Sequence, residues 1–115
     1  MKYNTLIDML VACENNDKNK IIFLEDGENQ KVQLSFSELS QKAKITANDL
    51  EKYIKVEDRV LILLPPGIDY IVSFFGCILA SAIAVPAYPP RKNRSQNFKR
   101  LLSILKSADA SCIIT

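Results

Sequence analysis

The stretch from Arg59 to Pro90 constrains the fold more than any other part of the chain. Val60 to Leu64 is a wholly apolar run, Pro65-Pro66-Gly67 breaks it, an apolar helix follows, and Ala84-Val85-Pro86-Ala87-Tyr88-Pro89-Pro90 closes the unit. Strands buried on both faces carry continuous rather than alternating apolar runs, and a strand, helix, strand connection in one sheet is right-handed. The segment therefore predicts one crossover of a parallel sheet in an α/β fold, with the helix from about Ile68 to Ala80 and the second strand from about Ile83 to Pro86. At 115 residues the chain allows one domain at most, with no internal boundary.

The flanking segments complete a partial sheet with helices around it and a small hairpin ahead of it. Thr5 to Glu14 predicts a short amphipathic helix with Leu6, Leu10 and Cys13 on one face. Ile21–Leu24 and Lys31–Ser35 flank an Asp26-Gly27 turn signal and predict an antiparallel hairpin. Ser35-Phe36-Ser37-Glu38 has the spacing of a capping box, in which the Ser hydroxyl accepts from the third helical N–H and the Glu carboxylate accepts from the cap's own N–H. The helix it opens repeats apolar residues at Phe36, Leu39, Ala43, Ala47, Leu50 and Ile54. In the crossover helix, Ile68, Ile71, Val72, Phe75, Ile78, Leu79 and Ala82 form the expected stripe, and Gly76 is expected to admit a neighbouring backbone. Past a basic loop at Arg91-Lys92-Asn93-Arg94, Ser95 caps a further helix whose buried stripe is Phe98, Leu101, Leu102, Leu105 and Ala108. Ser111 to Thr115 reads as a central strand that needs neighbours from further sequence, so the chain reads as the front of a longer protein.

The inventory of reactive groups is thin. There is no histidine, which removes His-dependent triads and His-based zinc sites. Cys13, Cys77 and Cys112 are odd in number and set among apolar residues, as reduced thiols of a cytoplasmic protein are. Gly27, Gly67 and Gly76 are too scattered for a P-loop or a dinucleotide fingerprint. No catalytic, cofactor-binding or metal-ligating set is found. Charges of 15 Lys and Arg against 13 Asp and Glu point neither to nucleic acid nor to an anionic membrane. Tyr70 to Pro90 carries no charge over the length a bilayer span needs, but Pro86 cannot sit inside a continuing helix, so no membrane span is expected. The basic cluster Arg91, Lys92, Arg94, Lys99 and Arg100 is the one concentration of charge, a solvated face or a contact for a phosphate-bearing ligand or carrier protein.

With the elements placed, their motifs resemble the adenylate-forming superfamily of acyl-CoA ligases, peptide-synthetase adenylation domains and luciferases. Leu34-Ser35-Phe36-Ser37-Glu38-Leu39 is similar to that family's "Leu-Thr-Tyr-x-Glu-Leu" element, and Ile78 to Pro86 to its "Leu-Lys-Ala-Gly-x-x-x-Val-Pro" element, with Asp58 to Pro65 matching the strand between. Leu64-Pro65-Pro66-Gly67, Phe74-Phe75-Gly76-Cys77 and Val85-Pro86-Ala87-Tyr88-Pro89-Pro90-Arg91 resemble the bacterial fatty acyl-AMP ligases more narrowly. Ser81 departs from the pattern where the family has a helix-ending Gly, which predicts an altered turn or a tolerated strain.

The resemblance implies that residues 1–115 are the N-terminal part of the large adenylation domain of a fatty acyl-AMP ligase, a segment inactive alone. It implies ATP and Mg²⁺ as cofactors of the whole enzyme, and the rest of its own chain, a fatty acid and an acyl carrier protein as partners. It further implies that Tyr88, Pro89, Pro90 and Arg91 form a stiffened loop on the acceptor side. A fatty acyl-CoA ligase segment and a free-standing α/β interaction module are the alternatives.

Overall fold

The parallel sheet predicted from the apolar runs is present, three strands wide, with the hairpin as a separate two-stranded sheet. The computed structural model describes residues 6–12, 14–24, 31–87 and 95–115. In chain order they form α1 (Leu6–Ala12), β1 (Lys20–Leu24), β2 (Lys31–Ser35), α2 (Phe36–Leu50), β3 (Arg59–Ile62), α3 (Ile68–Leu79), β4 (Ile83–Pro86), α4 (Ser95–Ala108) and β5 (Cys112–Ile114). β3 is central, between β4 and β5, and pairs with both in parallel. Val60, Leu61 and Ile62 are each fully buried, so successive residues of the strand find cover on opposite faces. Leu63 remains buried and donates its N–H to the Ile114 carbonyl at 2.8 Å, so the chain leaves the sheet only at Leu64, ahead of the two prolines.

The hairpin pairs Ile21 with Leu34 and Phe23 with Val32; Leu34 is buried and Ile21 and Phe23 half-buried, while Ile22, Leu24 and Val32 are exposed. Its Asp26-Gly27 turn and the third cysteine, Cys13, lie outside the described residues. β2 runs straight into α2, and the join satisfies the helix's first donors one by one. Phe36 N–H donates to the Asn19 carbonyl at 3.0 Å, Ser37 N–H to the Asn16 carbonyl at 2.9 Å and Glu38 N–H to Ser35 Oγ at 3.1 Å. Ser35 N–H in turn donates to Glu38 Oε1 at 3.2 Å, completing the capping box expected from the spacing.

Two apolar clusters share α2. Leu39 and Ala43 pack with Leu10 and Leu34 beneath the hairpin, whereas Ala47 and Leu50 pack with Val60, Ile62, Cys77 and Ala80 on the sheet. α1 buries only Leu10, and Leu6, placed on the buried face by its spacing, is 44% exposed. The deepest face of α3 also differs from the large-residue stripe. Ser73, Gly76 and Cys77 are buried, followed by Ala80, while Ile68, Ile71, Val72, Phe75 and Leu79 flank the seam half-buried. Closeness decides this, because a Cβ on Gly76 would lie 2.6 Å from Thr46 Cγ2 and 2.8 Å from Thr46 Cβ. Small residues meet where α2 and α3 approach most closely, and large ones fill the margins.

α3 ends in a Schellman turn. Ser81 adopts φ 59°, its N–H donates to the Ile78 carbonyl at 3.1 Å, and Ala82 N–H donates to the Cys77 carbonyl at 2.9 Å. The left-handed backbone is therefore kept although Gly is replaced by Ser. Glu57 (φ 69°) and Asp109 (φ 50°) are also left-handed, each just ahead of a strand. Glu57 N–H donates to the Ser81 carbonyl at 2.8 Å, joining two of these turns at the foot of the sheet.

Candidate functional site

Ligands of open α/β sheets bind in the crevice outside the carboxyl ends of the strands, and the helix-to-strand geometry assembles such a crevice here. Ile62 pairs with Pro86, and the Ile62 carbonyl accepts from Ala87 N–H at 3.0 Å, so the Leu64-Pro65-Pro66 exit of β3 and the Ala87 exit of β4 stand side by side. Pro66 and Pro86 lack an N–H and fix their own φ, which stiffens both exits. Between them opens a cavity of about 350 Å³ lined by Leu64, Pro66, Tyr70, Pro86 and Ala87. On the other side of the same proline turn a broader hollow of about 690 Å³ runs toward the hairpin, between Phe23, Val32, Pro65 and Ile68, with Lys42 and Asp69 as its charged residues.

The chemistry of these walls is binding chemistry. They offer apolar surface, one phenol and two oppositely charged side chains, and no nucleophile with a base beside it. Among the described residues no group of three His, Cys, Asp or Glu side chains could hold a metal ion. Cys77 is fully buried, and burial, reinforced by the neighbouring Cys112, pushes its thiol up to about 11, which keeps it protonated and inert near neutral pH. No helix among the described residues is long and apolar enough to cross a membrane, and the charge-free run is divided between α3 and β4.

Of the residues singled out for the acceptor-side loop, Tyr88, Pro89, Pro90 and Arg91 all lie outside the described residues. The structure brings their immediate predecessor, Ala87, to the rim of the smaller cavity. Tyr70, Leu64 and Pro66 were missed as site residues because the sequence reads them as packing and punctuation. A signal was present: a Pro-Pro pair directly after a buried parallel strand marks the carboxyl end, where crevices form.

Comparison with known proteins decides the family. A family profile described as AMP-binding enzyme matches residues 11–115. The chain belongs to the AMP-binding enzyme family. Within it, the chain is 37% identical over 117 aligned residues to the medium-chain-fatty-acid–acyl-carrier-protein ligase JamA of Moorena producens (strain JHB), covering 99% of this chain and 20% of JamA. It is 33% identical over 93 residues to the ligase of the same description, TtuA, of Teredinibacter turnerae, covering 81% of this chain and 14% of TtuA. Among solved structures, the fatty acyl-adenylate ligase of L. pneumophila in complex with acyl adenylate and pyrophosphate superposes with a TM-score of 0.83 at 28% identity, covering 97% of this chain and 20% of that one. This AMP-binding enzyme chain thus spans about a fifth of the length of JamA. Its parallel sheet, flanking helices and hairpin are a portion of the adenylate-forming fold.

Proposed function

We propose that the chain is the N-terminal part of the large adenylation domain of a fatty acyl-AMP ligase. In that reaction a fatty acid carboxylate oxygen attacks the α-phosphorus of ATP, giving acyl adenylate and releasing pyrophosphate. The pantetheine thiol of an acyl carrier protein then attacks the acyl carbonyl, and AMP departs. The observation that carries this reading is the 37% identity to JamA, sustained across 99% of the chain rather than confined to one motif. We assign the reaction to the cytoplasm and to lipid biosynthesis.

The residues in hand do not fit a site for ATP or for Mg²⁺. Three scattered glycines make no phosphate cradle, and the described carboxylates make no metal cluster. No step through either group is therefore assigned to this chain. Its contribution is the buried strand β3 and the paired exits beside it, which hold the crevice open and lead into Tyr88, Pro89, Pro90 and Arg91 on the acceptor side.

The test is to incubate the complete gene product with ATP, Mg²⁺ and a medium-chain fatty acid and to follow acyl-AMP by mass spectrometry. Acyl-AMP should form with no acceptor present, and the 115-residue segment alone should form none. Absence of acyl-AMP across chain lengths would refute the reading. Offering carrier protein and CoA in competition then separates the two ligase types, and Pro89→Gly with Pro90→Gly should shift that preference.

A further inference from the structure

The charge of this chain is segregated. Residues 91–108 hold six cations and no acidic residue, whereas the remainder holds nine cations against 13 acidic residues, a net of −4. The overall +2 conceals this asymmetry. On α4 the described members of the set are Lys99, Arg100 and Lys106, all exposed. A turn further along the helix from Lys99 and Arg100 stand Ser103 and Ile104, neither of which can offer a carboxylate, and no acid occupies the helix's first turn. Among the described residues the ion pairs are Lys44–Glu14 and Lys52–Asp49, so the three α4 cations are unpaired. Asp109, next to the helix, does not pair with Lys106. A hollow of about 370 Å³ lies along the same face, lined by Arg100, Ser103, Ile104, Ser107 and Ala108, and half-buried Ile104 gives it an apolar floor.

From these observations we infer that the outer face of α4 is a docking surface for the acidic face of a partner protein, with Lys99, Arg100 and Lys106 as its steering charges. Under the reading above, that partner is the acyl carrier protein that receives the acyl group, and the inference rests on that reading to this extent. Complementary charge is what selects a protein partner here. A nucleic-acid backbone would meet only three described cations on one helix face, with no aromatic side chain among the described hollow residues to stack on a base. A membrane surface would require a broad apolar face, and this one sets exposed Leu102 and half-buried Ile104 and Ala108 among serines and cations.

The test is direct binding of a fluorescently labelled holo acyl carrier protein to the complete protein, wild type against Lys99→Glu/Arg100→Glu/Lys106→Glu. The substitutions are expected to weaken binding about tenfold or more and to flatten its salt dependence, because exposed interfacial charges act on encounter rate and are screened within a Debye length. A Gln version of the triple variant should lie between the two, and an unchanged melting temperature shows that the fold survives. Wild-type affinity in the charge-reversed protein overturns the inference, as does tighter, charge-dependent binding of a single-stranded oligonucleotide or an anionic vesicle. Acyl-AMP formation needs no acceptor and should be unchanged by the substitutions. Its absence in the wild type refutes the ligase reading, whereas its persistence beside unaltered carrier binding refutes only the docking surface.

Discussion

Ser81 is the residue at which local chemistry and backbone geometry disagree most openly. Its φ of 59° and the two Schellman hydrogen bonds describe a turn that Gly adopts freely and a Cβ-bearing residue does not. Ser81→Gly is expected to stabilise the protein by about 1 kcal/mol, read as a higher urea midpoint with an unchanged slope. No change would mean that the turn carries no strain. Cys77 makes a second prediction at this scale. With its thiol pushed from the usual 9.0 up to about 11, the folded protein holds a proton that the unfolded chain surrenders. Stability from this source is complete below pH 9 and declines as pH rises toward 11, by a few kcal/mol at the upper end. Cys77→Ala should remove that decline at the cost of a small cavity, which urea titrations at pH 8 and pH 10.5 would reveal.

The helices and strands were legible where one local rule dominated. The capping box fixed the start of α2 because Ser35 and Glu38 satisfy each other without help from distant residues. Ser35→Ala should cost about 1 kcal/mol, since Glu38 N–H then loses its acceptor. Strand β4 runs from Ile83 to Pro86 as its apolar run and Pro86 suggest, and β3 is buried on both faces. Periodicity was less informative inside α3, where nearly every residue is apolar and no polar face marks the outside. There the decisive quantity is separation: Ser73, Gly76, Cys77 and Ala80 are the most deeply buried, and the larger side chains pack around them against Leu39 and Ala43 of α2. Gly76→Ala is expected to cost about 2 to 3 kcal/mol by overpacking. Thr46→Ala should restore only part of this loss, because the Cβ of residue 46 stays 2.8 Å from the new methyl group. Of the cavity beside Tyr70 the sequence carried only the Pro-Pro signal after β3, and not its lining, because the lining is assembled only once the exits of β3 and β4 are brought together in space.

On the scale of the whole molecule, the chain supplies a sheet with a central buried strand, a crevice at its carboxyl end and a basic helix face, but no reactive constellation among its described residues. Apolar surface is also left open on the hairpin and on α1, at Ile22, Leu24, Met9 and Val11. A scaffold of this kind fits the proposed role as one part of an adenylating enzyme, in which positioning comes from this segment and phosphoryl chemistry from elsewhere. The most direct test of that account is the acceptor-free conversion of a medium-chain fatty acid and ATP into acyl-AMP and pyrophosphate by the complete gene product, followed by mass spectrometry. The account predicts acyl-AMP whose formation depends on the fatty acid, and a complete protein that forms none with any fatty acid would contradict it.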